Sequence, residues 1–196
     1  MKLFFDCEMT ELHRGSTLIS LGIVDENNRY FYAEFTDYDK SARYLSPFIQ
    51  ENVIKNLWFN KYPDGPLSHK IYDPTDGSVQ LKGNTLNVKA ELESWLSVYD
   101  KLEWIADVPT YDFMLLIDLL WYNAIDIPYD GKFSPDCYNI SQAIQDFLGC
   151  DSFTAFDKNR EDLLKELGGP TVEGVKHNSL YDARVCKALY YVLKNK

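Results

Sequence analysis

An α/β fold, with a mixed sheet flanked by helices, is predicted by two patterns in this chain. Three short runs of aromatic and β-branched residues open it, and helix-like and strand-like periodicities then alternate to the C-terminus. Length agrees: 196 residues, 45% of them hydrophobic, suit one well-packed domain spanning 1–196 and are short for two.

Residues 3–8 (LFFDCE), 17–24 (TLISLGIV) and 29–35 (RYFYAEF) read as strands. Asp25-Glu26-Asn27-Asn28 is turn-rich, which predicts a hairpin between the second and third. Ser46 caps a helix that has Pro47 at its first position. The stretch 62–84, rich in Pro, Gly and Asp, reads as a long loop or small flap. Asn87 caps a helix to about residue 98, and LEWIA at 102–106 is a buried strand. Thr110 caps an intensely apolar helix, YDFMLLIDLLWY. A short strand falls within 131–138, a helix at 140–148 is ended by Gly149, and a helix at 157–167 is closed by Gly168-Gly169-Pro170. The last helix spans 179–194.

Composition excludes several classes. A net charge of -10 argues against a broad basic surface gripping duplex nucleic acid, but not against a site for a short single-stranded end. No run is long enough to span a membrane and no signal-peptide pattern opens the chain, so the expected compartment is the cytoplasm, with no membrane partner. Cys7, Cys137, Cys150 and Cys186 are widely spaced without a CxxC, as free thiols are.

The residues that carry chemistry are acidic. Phe4, Asp6 and Glu8 share one face of the first strand, because side chains alternate with a period of two. Two adjacent carboxylates among apolar residues repel each other and bury badly, which calls for a cation between them. Asp182 shares a helical stripe with Cys186, Leu189 and Leu193 and so faces the core. Asp112 shares one with Leu115, Leu116 and Leu119, whereas Asp118 falls on the solvent side. Asp107, at the end of the preceding strand, rivals Asp112 for the inward role. His177 lies five residues before Asp182, on a mobile loop leading into the last helix; His13 and His69 sit in polar loops. Tyr111 and Phe113 flank Asp112 and are read as core rather than as a stacking surface, and His13 and Arg14 as a solvated loop.

Together Asp6-x-Glu8, Asp112 in TYDFMLL, and His177 with Asp182 in HNSLYDA resemble the three motifs of the DEDDh 3′–5′ exonucleases of the ribonuclease H-like superfamily. The stand-alone form is similar to ribonuclease T and oligoribonuclease. Met9-Thr10-Glu11 stands where the family commonly has a Thr-Gly after the Glu.

The resemblance implies a five-stranded ribonuclease H-like sheet and release of nucleoside 5′-monophosphates from single-stranded 3′ ends, RNA before DNA. It implies two divalent cations, Mg2+ or Mn2+, held by Asp6, Glu8, Asp112 and Asp182, hard oxygen donors of the kind these ions prefer. His177 is then the base that takes a proton from water, and Met9, Thr10 and Leu12 line the site of the terminal nucleotide. Several members are homodimers, so a homodimer is expected too. The alternatives are a catalytically inactive nucleic-acid-binding module of the same fold, a DNA-directed 3′–5′ exonuclease, and a transposase-like strand transferase.

Overall fold

The structure is a computed structural model, and the residues described are 1–13, 15–41, 45–61, 69–121 and 131–196, without the side chains of Lys61 and Pro135. Arg14, positions 62–68 of the expected loop and Tyr122 at the end of the expected apolar helix lie outside them.

Three strands form an antiparallel meander: β1 (Lys2–Met9), β2 (Leu18–Asp25) and β3 (Tyr30–Phe35). Asp25 Oδ1 accepts the backbone N–H groups of Asn27 and Arg29 in the β2–β3 turn, where Asn28 takes a left-handed conformation that Asn tolerates. Next come β4 (His69–Tyr72) and β5 (Val79–Gly83), then helix α1 (Thr85–Leu96), β6 (Leu102–Ala106) and α2 (Thr110–Leu120). After β7 (Phe133–Asn139) the chain is helical: α3 (Ile140–Leu148), α4 (Ser152–Asp157), α5 (Arg160–Glu166) and α6 (Ser179–Lys194). The sheet has seven strands in the order β4-β5-β3-β2-β1-β6-β7, with β5 parallel to β3, and β6 and β7 parallel to β1.

The mixed α/β architecture, a sheet flanked by helices, is as expected, but five strands become seven. The two additional strands come from 69–83, inside the stretch read as a loop. His69–Tyr72 is exposed along its whole length, so it has no apolar alternation to betray it. Four other boundaries move. Asn84, not Asn87, caps α1, and its side chain accepts the Asn87 N–H at 2.9 Å. Thr110 is the first residue of α2, following Pro109. The helix expected at 157–167 is the shorter α5, capped by Asn159, and a helix not expected, α4 capped by Asp151, precedes it. Ser46 does accept the Ile49 N–H, at 3.3 Å, but the chain continues as a wide π turn (Ile49–Val53) and two 3-10 turns (Ile54–Asn56 and Trp58–Lys61). The side-chain amides of Asn52 and Asn56 donate to the carbonyls of Phe48 and Asn52, competing with the regular ladder.

Strand β1 is buried on both faces. Leu3, Phe5, Cys7 and Met9 pack with α1 and α2, through Val88, Leu92, Leu116 and Leu119. Phe4 packs on the other side with Ile144, Leu163, Ala183 and Leu189, from α3, α5 and α6. Asp6 and Glu8 therefore point to the α6 side, as the period of two requires. Helix α6 lies close against the sheet at Gly22, where the Ser20 and Ser179 hydroxyls meet at 3.0 Å. No helix among the described residues is long and apolar enough to cross a membrane.

A methyl group on Gly22 would stand 2.3 Å from backbone atoms of Ser179 and Leu180. Gly22→Ala should therefore cost about 1–3 kcal/mol by overpacking. Thermal melting should register a fall of roughly 2–12 °C; an unchanged midpoint would contradict this contact.

Candidate active site

The parallel ladder between β1 and β6 pairs Lys2–Phe4 with Glu103–Ile105 and stops there. Beyond it β1 runs on alone on that side, and the cleft opens at its C-terminal end, the usual place for a site in an open α/β sheet. The Cys7 N–H, left without a strand partner, donates to Asp112 Oδ1 at 2.9 Å. That bond seats the first turn of α2 against β1. From the opposite layer, Asn178 caps α6, its side chain accepting the Tyr181 N–H, and Asp182 lies in the first turn. Asp6, Glu8, Asp112, Asp182 and His177 all line one cleft of about 790 Å³.

The carboxylates crowd each other in a poorly solvated place. Burial raises Asp6 well above the usual carboxylate range, and Asp182, Asp112 and Glu8 raise it further. Burial, then Asp182 and Asp112, push Glu8 up to about 8. Asp182 rises to about 7 and Asp112 to about 6, in each case through burial, opposed by the His177 N–H bond for Asp182 and by bonds from Cys7 and its own backbone N–H for Asp112. Such a set cannot be fully ionised at neutral pH without a cation. The donors are hard oxygens, so the residues present fit Mg2+ or Mn2+.

His177 takes a left-handed backbone (φ 63°). Its N–H donates to Asp182 Oδ2 at 2.8 Å, its ring Nδ1 lies 3.9 Å from Glu8 Oε1, and the Phe48 ring meets it edge-on at 5.1 Å. Ligand atoms of Glu8, His177 and Asp182 all fall within 4.8 Å of one another. Burial first, and Lys176 second, lower the His177 pKa. The loop is tied rather than free: Asn56 Nδ2 donates to the Lys176 carbonyl, and Asn178 Nδ2 to the Asn56 carbonyl and the Tyr32 hydroxyl. Behind it, Glu34 Oε1 accepts from the Tyr32 hydroxyl (2.9 Å) and the Phe59 N–H (2.8 Å). Val108, a β-branched residue at φ 47°, is the other left-handed residue on the cleft wall, held by its N–H bond to Asn139 Oδ1.

Asp107 lines the cleft too, but its charge is answered. Arg160 reaches it through Nε at 2.6 Å and Nη2 at 3.1 Å, and the Ser141 hydroxyl donates to it at 2.8 Å. Asp118 is exposed, as expected. Met9 and Leu12 line the cleft, the first buried and the second 68% exposed. Thr10 does not: it is fully buried and exchanges hydrogen bonds with Thr17. Phe113 packs on Phe5, and neither it nor Tyr111 reaches the cleft. Sequence reasoning missed Arg160, Phe48, Phe156, Lys158 and Lys176 on the wall.

No protein-family model and no curated protein matches the sequence. Among solved structures, this chain is similar to S. pombe Pop2p in a Mg2+- and Mn2+-bound form, with a TM-score of 0.65 at 13% identity over 100% of this chain and 83% of that one. It is similar to a full-length 3′-exonuclease, at 0.60 and 13%, over 99% and 81%. A 3′-exonuclease from a study of histone mRNA stem-loop 3′-end recognition also matches, at 0.60 and 13%, over 98% and 63%. At such identities the likeness is one of fold.

The raised carboxylates set a pH dependence. Their folded pKa values exceed the ordinary ones, so their stabilising contribution is complete below about pH 4. It is lost as pH rises through the folded values of about 6, 7 and 8 for Asp112, Asp182 and Glu8. Between pH 5 and 8, chelator-treated Glu8→Gln protein should gain melting temperature relative to the wild type. Added Mg2+ or Mn2+ should raise the wild-type midpoint more at pH 8 than at pH 5.5. A pH-independent difference in both scans would show that the acids are not coupled as described.

Proposed function

We propose that this protein is a metal-dependent 3′–5′ exonuclease, acting on single-stranded 3′ ends, RNA before DNA, and releasing nucleoside 5′-monophosphates. The observation that carries the reading is the convergence of Asp6, Glu8, Asp112 and Asp182 on one cleft beside a histidine whose ring nitrogen lies 3.9 Å from Glu8. The likeness in fold to two 3′-exonucleases and to a Mg2+- and Mn2+-bound protein supports it.

In this reading Asp6, Glu8, Asp112 and Asp182 hold two divalent ions. Ions so held neutralise phosphate charge and acidify water, which is what phosphodiester hydrolysis needs. The protein's own part is positional. Asp6 and Glu8 project from a strand locked on both faces, so their carboxylates stay close despite repulsion. Cys7 and His177 fix one oxygen each of Asp112 and Asp182 through backbone N–H bonds. The remaining oxygens are free to face a cation. His177, with its pKa lowered, is mostly neutral at pH 7 and able to accept a proton from water at a ring nitrogen. Met9 and Leu12 border the space for the terminal nucleotide, with the exposed Leu12 as a wedge against its base.

A 5′-labelled single-stranded oligonucleotide should be shortened stepwise, with release of 5′-mononucleotides, in Mg2+ or Mn2+ and not in chelator. Asp6→Ala and Asp182→Asn should abolish the release. His177→Ala should cost about 10²–10⁴ in rate, the usual worth of a general base, while metal titration by calorimetry stays near wild type. Retained activity in the Asp variants would refute the site; loss of metal in His177→Ala would make it a ligand.

A further inference from the structure

Although the floor of the cleft is acidic, its wall also carries exposed aromatic rings and lysines. Phe48 is 53% exposed and Phe156 is 61% exposed, and both line the cleft. Exposed rings lose the stabilisation of burial, and exposed apolar surface at a cleft marks binding. Two lysines line the same cleft. Lys158 comes two residues after Phe156, at the end of α4. Lys176 precedes His177, whose ring meets Phe48 edge-on at 80°. That edge-on contact leaves a face of Phe48 open.

A nucleotide has the matching composition: a flat π-surface joined to an anionic phosphate. In a chain of net charge -10, two lysines on the wall of a carboxylate cleft complement a phosphate backbone, and few other polymers. We propose that Phe48 with Lys176, and Phe156 with Lys158, are two nucleotide positions in which the rings stack on unpaired bases and the lysines meet the adjoining phosphates. This deepens the exonuclease reading and rests on it. Stacking on a ring requires a base released from its duplex neighbours, so the same rings select single-stranded over paired ends. Phe156 is the cleaner probe, because Phe48 also touches His177.

The test uses fluorescence anisotropy with 5′-labelled 12-nucleotide single strands, in an Asp182→Asn background that prevents hydrolysis. Phe156→Ala should weaken binding between about five- and one-hundred-fold, the range for one lost stacked base. Phe156→Trp should restore it. One abasic position in the strand should cause the same loss in the parent and no further loss in Phe156→Ala. Lys158→Ala should weaken binding and reduce its salt dependence. If the wild type releases mononucleotides but Phe48→Ala and Phe156→Ala keep parental affinity, or their losses add to the abasic loss, the stacking proposal fails and the activity stands. If strands bind in a Phe156-dependent way but the wild type hydrolyses none, the proposal stands and the exonuclease reading falls. Absence of both binding and hydrolysis removes both.

Discussion

Mutual repulsion among four carboxylates at the end of β1 is the constraint around which this structure is organised. Asp6 and Glu8 sit on a strand with apolar layers on both sides, so neither can turn away to water. Asp112 approaches from the α2 layer and Asp182 from the α6 layer. Each is anchored by one backbone N–H and leaves the rest of its charge for the cleft. Otherwise odd features of the fold answer to the same constraint. The β1–β6 ladder stops early, which frees the Cys7 N–H for Asp112. Both Val108 and His177 adopt left-handed backbones on the cleft wall, as strain at a functional site is expected to do.

The surroundings separate charges that would otherwise compete. Arg160 and Ser141 occupy Asp107, so a fifth acid lines the cleft with its charge already paired. Lys158 and Lys176 stand on the cleft wall, and Lys176 partly offsets the rise of the Asp182 pKa. Bringing these acids together thus carries a standing electrostatic cost that stability alone would not retain.

Much of this was legible in the sequence, for physical reasons. The period of two put Phe4, Asp6 and Glu8 on one face, and the period of 3.6 put Asp182 with Cys186 and Leu189. Those periodicities report burial directly. Long-range polar pairing leaves no such trace. Nothing in Asn159-Arg160-Glu161 announces a guanidinium reaching back 53 residues to Asp107. Phe48 and Phe156 were unreadable because a phenylalanine in a helical run looks like core until its exposure is seen. β4 was missed because an exposed edge strand carries no alternation; β5 does alternate, but over only five residues in a stretch rich in Pro, Gly and Asp; and Asn87 is of the same capping type as Asn84, which caps α1.

The buried link from Glu34 through Tyr32 to Asn178 has a consequence for how the cleft works. It joins the turns at 54–61 to the N-terminus of α6, and Asn56 adds a second tie to Lys176. Phe48 and His177, in contact with each other, are thereby parts of one mechanically continuous wall. Whatever settles Phe48 also settles His177. If bases stack on Phe48 as proposed, occupancy by a base and the placing of His177 are linked by a single coupling free energy, and linkage of this kind acts equally in both directions.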